Sequence, residues 1–351
     1  MTPSAECGLY NTGVGSSEKP LTVAVTGPTG TFGFGLIPLL ETEPRVDRIV
    51  GIARREFDPS AQGWSKMEYR QGDVRDSEGL RAAFAGADVV VHLAFMITGN
   101  ADPDTIRAIN VEGTLNAFRA ARAAGAERFV YASSVAAYGF HPDNPVGMNE
   151  EWPVRPAEHL FYAQEKAELE QLLEEEAGDA GRPELYLLRP PVVLGPHAVG
   201  AKGSLPGPVA AALRQLLGLV RRSPAPIPVP APDVKLQFIH EEDVGQALLR
   251  CALGAGPPGA YNIAGDGVLT GSDVARELGL SPLPISAELV YRASRAAVSV
   301  PRPAFLPPAL DWIEAASHPA IMDTDKAKRE LGWKPRYSGL EALRETLQAL
   351  G

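Results

Sequence analysis

From Leu21 to about Pro196 the chain repeats one pattern: a short, wholly apolar run followed by a longer amphipathic stretch. The short runs are Leu21–Thr26, Arg48–Ala53, Ala87–Ala94, Arg128–Ser133 and Glu184–Leu188, rich in β-branched residues and bounded by Gly, Asp or charged residues. Between them Phe34–Leu40, Ser77–Phe84, Thr105–Ala124 and Glu158–Ala177 carry a helical period. The short runs do not alternate apolar with polar, as expected of strands covered by helices on both faces. The pattern predicts an α/β fold built on an open, doubly wound parallel sheet with right-handed crossovers.

After Gly195 the texture changes. Prolines crowd Ser223–Pro232, which reads as an extended connector or as a lid over a site. Residues 235–264 return to a strand–helix–strand pattern, with Asp243 expected to cap a helix Val244–Leu253. The predicted organisation is a mobile tail over 1–19, a nucleotide-binding domain over 20–196 to which 235–264 returns, and a smaller interleaved C-terminal substrate domain over 197–234 and 265–351.

Composition narrows the function classes. The net charge of −10 over 351 residues offers no basic stripe for nucleic acid, and Arg221–Arg222 is an isolated pair. Cys7 and Cys251 are too few for a disulfide framework, and neither has metal-ligand spacing to a histidine. Residues 1–19 contain no apolar signal core, and stretches such as Ala87–Ile97 are too short to cross a bilayer. A soluble cytoplasmic protein acting on a small molecule is the expectation, with neither nucleic acid nor membrane as partner.

Thr26-Gly27-Pro28-Thr29-Gly30-Thr31-Phe32-Gly33 follows the first strand and opens the first helix. Glycines there serve a tight turn, close approach of backbone to a pyrophosphate and helix–strand packing, while the helix N-terminus offers N–H groups to the phosphates. This predicts a dinucleotide site on a Rossmann-type unit. The second strand ends Gly51-Ile52-Ala53-Arg54-Arg55, with Ala53 where an acid would hold the ribose of NAD. Arg54 and Arg55 instead suit the 2′-phosphate of NADP, so NADP is favoured over NAD. In Gly72-Asp73-Val74-Arg75-Asp76, Asp73 is a candidate acceptor for the adenine amino group, and Asp76 or Ser77 a helix cap.

Tyr162-Ala163-Gln164-Glu165-Lys166 places Tyr162 and Lys166 one helical turn apart on one face. A neighbouring ammonium favours the phenolate, which would make Tyr162 a general acid/base. Ser134 stands at the end of a strand, where open α/β sheets place their sites, in position to orient a substrate oxygen. His92 and His240 lie in apolar strand-like stretches and read as core histidines.

These residues carry a resemblance. The glycine loop, Gly72–Asp76, His92-Leu93-Ala94, Asn110-Val111-Glu112-Gly113-Thr114, Ser133–Gly139, Tyr162–Lys166, Leu188–Pro196, Phe238-Ile239-His240 with Asp243, Tyr261-Asn262-Ile263 and Glu330–Pro335 run in order along nearly the whole chain. Together they resemble the extended short-chain dehydrogenase/reductase family, also called the NAD-dependent epimerase/dehydratase family. The resemblance implies that Ser134, Tyr162 and Lys166 are catalytic, with Lys166 also lowering the tyrosine's pKa and holding the nicotinamide ribose. It further implies cofactor contacts from Gly27, Gly30, Thr31, Phe32, Gly33, Val74, Leu93, Ala94, Asn110, Pro190 and Val193, and a homodimer formed through the helices Thr105–Ala124 and Glu158–Ala177.

Similar dehydratases carry Asp-Glu after the catalytic hydroxyl residue, whereas Val135 and Ala136 stand here. Similar epimerases show an Arg-Asp pair before Phe-Ile-His, where this chain has Leu236 and Gln237. The expectation is an NAD(P)-dependent dehydrogenase or reductase for an alcohol or ketone of rather apolar character. A nucleotide-sugar epimerase and a non-catalytic NAD(P)-binding sensor are the alternatives.

Overall fold

The computed structural model describes residues 19–97, 102–158, 160–178, 181–198, 226–286 and 318–349, with single positions at 215, 218, 289 and 292. Residues 1–18 of the expected tail over 1–19, the pair Arg221–Arg222, the start of the proline-rich stretch and most of 287–317 lie outside the described residues.

The strands are β1 (Leu21–Thr26), β2 (Val46–Ala53), β3 (Met67–Gln71), β4 (Val89–His92), β5 (Arg128–Ala132), β6 (Glu184–Arg189), β7 (Val192–Leu194), β8 (Pro228–Pro232), β9 (Lys235–Leu236), β10 (Phe238–His240), β11 (Gly259–Asn262), β12 (Leu269–Thr270) and β13 (Ser281–Ile285). Seven of them form one parallel sheet in the order β11-β6-β5-β4-β1-β2-β3. Its strand order reverses between β1 and β4. The arrangement is Rossmann-like, as the apolar runs predict. Small two-stranded pairings, β7 with β10, β9 with β12 and β8 with β13, build the structure beyond the sheet.

The absence of alternation in the strands has a direct cause. On β1, Val23 and Val25 face one layer and Ala24 the other, and all three are fully buried. The first layer holds helix α1 (Thr31–Thr42) and the late helix Glu241–Ala252. The second holds α2 (Ser77–Phe84), α4 (Gly113–Ala123) and α5 (Phe161–Ala177). A short α3 (Pro103–Arg107) leads into α4 through a π turn at Ala108–Glu112, inside the single helix expected there.

The helix Glu241–Ala252, α6, crosses α1 with their backbones in contact. A Cβ on Gly35 would lie 2.1 Å from the Glu241 carbonyl oxygen, and one on Gly245 2.0 Å from the Gly35 carbonyl oxygen. Further helices are α7 (Gly271–Glu277), α8 (Asp325–Glu330) and α9 (Gly339–Ala349).

Two boundaries differ from expectation. Asp243 does not cap α6, which begins at Glu241 with His240 at its N-cap. The Asp243 carboxylate, fully buried, instead accepts from Arg336 N at 2.7 Å and Tyr337 N at 3.1 Å. The segment around α8, assigned above to the substrate domain, packs in the main core: Trp333 is fully buried and its Nε1 donates to Asp243 O at 2.9 Å. A lone tryptophan in a charged sequence gives no period by which to assign it to the sheet. Among the described residues no helix is long and apolar enough to cross a membrane.

Candidate active site

The strand order reverses between β1 and β4, and the C-terminal ends of these strands are where an open α/β sheet binds its ligand. Gly27 leaves β1 with φ +70°, and a Cβ on it would lie 2.9 Å from Ala94 N. Thr26 Oγ1 accepts from the amides of Leu93 (3.2 Å) and Ala94 (3.3 Å), which fixes that close approach. Gly33 sits against the carbonyl of Pro28, where a Cβ would approach to 2.0 Å. Gly30 is the N-cap of α1 and no side chain caps the helix, so its first-turn N–H groups are left for an anion. Thr31 donates its hydroxyl to His197 O at 3.1 Å, and Phe32 is half-buried against the core. This cradle, closed to side chains and open to backbone donors, fits a dinucleotide pyrophosphate.

Arg54 and Arg55 are exposed on the turn after β2. Their backbone is held from β3: Tyr69 donates its hydroxyl to Ala53 O at 3.0 Å and to Arg55 O, and Gln71 Nε2 donates to Arg54 O at 2.9 Å. Asp73 receives Arg75 on both carboxylate oxygens, at 3.1 and 2.7 Å, and this partner holds its carboxyl below the usual range. Asp76 is the cap of α2, accepting from Gly79 N at 3.0 Å. Val74 is buried, its side chain against Gly113.

Ser134 and Tyr162 meet. They share a hydrogen bond, while Ala136 N donates to Ser134 Oγ at 3.1 Å. Burial pushes the Tyr162 phenol up, and the serine bond opposes that rise. The neighbouring Ser133 is turned away, donating to Glu170 Oε1 at 2.5 Å. Ser134 is therefore the serine that faces the tyrosine.

Lys166 does not make the contact expected of it. Its Nζ lies 5.8 Å from the Tyr162 ring centroid and donates instead to Ala132 O (2.7 Å) and Tyr131 Oη (3.1 Å), with the Phe95 ring 3.7 Å away. Burial pulls its pKa down to about 7, against the opposing pull of Glu170 and Glu165. The depression of the tyrosine's pKa by this ammonium, predicted from spacing alone, is not made in this arrangement, because enclosure outweighs proximity.

Asn110 is a second correction. The π turn directs it inward, where it is fully buried and its amide is consumed: Oδ1 accepts from Met96 N at 2.7 Å, and Nδ2 donates to Met96 O at 3.0 Å and Glu165 Oε2 at 2.7 Å. It holds the segment 93–97 rather than a cofactor. Pro190 accepts from Val135 N at 2.9 Å, and Val193 lies on β7 opposite Ile239. His92 is a core histidine, between Thr26 Oγ1 (2.8 Å) and Thr114 Oγ1 (2.9 Å), and burial lowers its pKa to about 3. His240 is likewise buried.

Sequence reasoning missed Phe95, whose ring meets that of Tyr162 edge-on at 5.6 Å, and it missed Glu170 and Arg189 behind the serine. Glu170 stands four residues after Lys166, a spacing that signals a shared helix face.

A model of the family described as "NAD dependent epimerase/dehydratase family" matches residues 23–264. The chain belongs to that family. Its fold is that of the extended short-chain dehydrogenase/reductases, and the family's members are NAD-dependent enzymes.

An uncharacterized protein of Mycobacterium tuberculosis is 25% identical over a 355-residue alignment that covers 95% of this chain and 85% of the relative. The 3 beta-hydroxysteroid dehydrogenase type 7 of Rattus norvegicus is 33% identical over 183 residues, covering 47% of this chain and 52% of the relative. Sterol demethylase protein B of Methylococcus capsulatus is 34% identical over 139 residues, covering 39% and 41%.

Among solved structures, the UDP-glucose 4-epimerase of Thermotoga maritima with UDP-glucose superposes with TM-score 0.70 at 20% identity, covering 94% of this chain and 98% of that one. The Bordetella bronchiseptica enzyme WbmG in complex with NAD gives TM-score 0.68 at 20% identity, covering 96% and 95%.

Proposed function

We propose that this family member is an NAD(P)-dependent dehydrogenase or reductase acting on the alcohol or ketone carbon of a rather apolar molecule. The observation that carries the reading is the hydrogen-bonded pair Ser134–Tyr162 at the C-terminal end of the sheet, with Lys166 one turn along the helix. No acid follows the serine: Val135 and Ala136 are buried apolar residues, so a water-eliminating dehydratase lacks its extra acid–base pair. Gln237, which stands in the region where related epimerases carry Arg-Asp, spends its amide on the backbone of Met322. Phe95, whose ring meets that of Tyr162, and the partly exposed Met96 and Ile97 that follow it make the surroundings of the tyrosine apolar. The steroid-dehydrogenase and sterol-demethylase relatives support a substrate of the same character.

In this reading Gly27, Gly30, Thr31, Phe32 and Gly33 hold the pyrophosphate, Asp73 and Val74 the adenine end, Leu93 and Ala94 line the adenine and ribose side, and Lys166, Pro190 and Val193 hold the nicotinamide half. The nicotinamide, when bound, supplies the hydride acceptor or donor. Ser134 donates to the substrate oxygen and orients it, and Tyr162 takes or returns the proton at that oxygen. The 2′-phosphate of NADP suits Arg54 and Arg55, whose turn is already held by Tyr69 and Gln71.

The test is turnover of a panel of 3β-hydroxysteroids and simpler secondary alcohols, with NADP and with NAD, by wild type and Tyr162→Phe. The expected result is cofactor reduction by wild type and a loss of about 100-fold or more in the variant, with cofactor binding intact. Near-normal turnover by Tyr162→Phe overturns the mechanism. Tightly held NAD, released in stoichiometric amount on denaturation, would favour an epimerase instead.

A further inference from the structure

Behind the serine lies a chain of buried polar groups that the reaction itself does not use. Arg189, at the end of β6, sets its guanidinium on Glu170 of α5 in a fork: NH2 to Oε2 at 2.6 Å and Nε to Oε1 at 3.0 Å. The two side chains are only 5% and 4% exposed. Glu170 Oε1 also accepts from the Ser133 hydroxyl. The third guanidinium nitrogen, NH1, donates to Tyr138 Oη at 2.6 Å, and Tyr138 donates to Asn262 Oδ1 at 2.9 Å. Asn262 Nδ2 donates to Met148 O at 3.0 Å and Asn262 N to Glu150 Oε1 at 2.8 Å. Met148 in turn bridges to the C-terminal segment, through Met148 N to Ile321 O at 2.9 Å and Asp323 N to Met148 O at 2.8 Å.

Four members of the chain, Ser133, Tyr138, Glu170 and Arg189, adjoin residues of the site. Ser133 precedes Ser134. Tyr138 closes the 3-10 turn that Ser134 caps. Glu170 lies one turn beyond Lys166 on α5. Arg189 precedes Pro190, whose carbonyl receives Val135 N.

A buried ion pair is a poor source of stability, since a well-packed apolar pair of similar volume does as well or better. What the fork offers is geometry: a planar cation with fixed donor directions joins three elements at set distances. We infer that the Glu170–Arg189 pair is a positioning element that registers the Ser134 end of β5 against α5, and so Ser134 against Tyr162, and ties both to the segment bearing Met148. The inference rests on the reading of Ser134 and Tyr162 given above.

The test replaces both charges, in Glu170→Gln/Arg189→Met, so that no unpaired charge is buried. The expected double variant melts close to wild type and binds NADP(H) within about two-fold of wild type. Its kcat on the best alcohol of the panel falls by ~10–100-fold, the scale set by small misplacements of reacting groups. Its crystal structure shows Ser134 displaced from Tyr162. A stable double variant with wild-type kcat, or with the Ser134–Tyr162 contact unchanged, overturns the inference.

If the double variant does not fold, Ser133→Ala removes only the link from β5 to Glu170. A kcat lowered several-fold at unchanged melting temperature is then expected, and wild-type kcat overturns the inference. Failure of the functional reading looks different: wild type turns over none of the panel, or Tyr162→Phe stays active. The Ser134–Tyr162 geometry in the variant crystals judges the positioning role in either case.

Discussion

At Lys166 two demands oppose each other. The site wants a cation beside Tyr162, yet the packing that brings the lysine there removes it from water, and burial takes its pKa from 10.5 down to about 7. Between those two values the unfolded chain binds a proton that the folded one does not, so this residue makes stability rise with pH from about 7 to about 10.5. Below about 7 the penalty is fully present. Lys166→Met should therefore be most favourable relative to wild type near pH 6, with its advantage shrinking steadily toward pH 10. Urea denaturation of both proteins across that range checks this, and a difference flat in pH would contradict it. At the other end of the cofactor site, Arg54→Ala and Arg55→Ala should each weaken NADPH by ~10-fold and spare NADH, because a charge-assisted bond to phosphate is lost. Titration by nucleotide fluorescence measures both, and equal losses for the two nucleotides would count against a 2′-phosphate role. The chemistry at this scale was legible where it is local. The Tyr162–Lys166 spacing, the serine at a strand end and the double arginine can all be read along the chain. The state of Lys166 could not, because it depends on Phe95, Tyr131 and the Ala132 carbonyl enclosing its Nζ from elsewhere in the sequence.

The elements repeat the lesson with larger pieces. Apolar runs without alternation locate the strands of the sheet well, since burial on both faces leaves its mark on every residue. The π turn at Ala108–Glu112 leaves no such mark. One extra residue in the turn rotates Asn110 into the core, against Met96 and Glu165, and a reading by regular helical period misses it. The crossing of α1 and α6 is similarly hidden, because Gly35 and Gly245 look like tolerated helix glycines until the helices meet. There the backbones touch, and a methyl group on Gly245 has the Gly35 carbonyl within 2.0 Å. Gly245→Ala should lower stability by ~1–3 kcal/mol, the usual cost of overpacking, despite alanine's better helix propensity. Chemical denaturation gives the sign directly, and a stabilised variant would mean that the helices part at no cost.

On the scale of the whole molecule, late segments of the chain complete the early sheet. Strand β11 adds to the edge at β6, α6 covers α1, and Trp333 and the Asp243 carboxylate lock the approach to α9. The order of motifs suggests an early nucleotide unit and a late substrate unit, yet late residues such as Trp333 pack into the core beneath the early sheet. The crossing at Gly35 and Gly245 has a consequence for synthesis. The glycine face of α1 emerges first, and its cover follows roughly two hundred residues later. At about 5–20 residues per second that leaves ~10–40 s in which the first helix stands on the ribosome with a bare backbone groove. A nascent chain halted before α6 keeps that groove open, so the outer face of the first helix is covered only when translation is well past its midpoint.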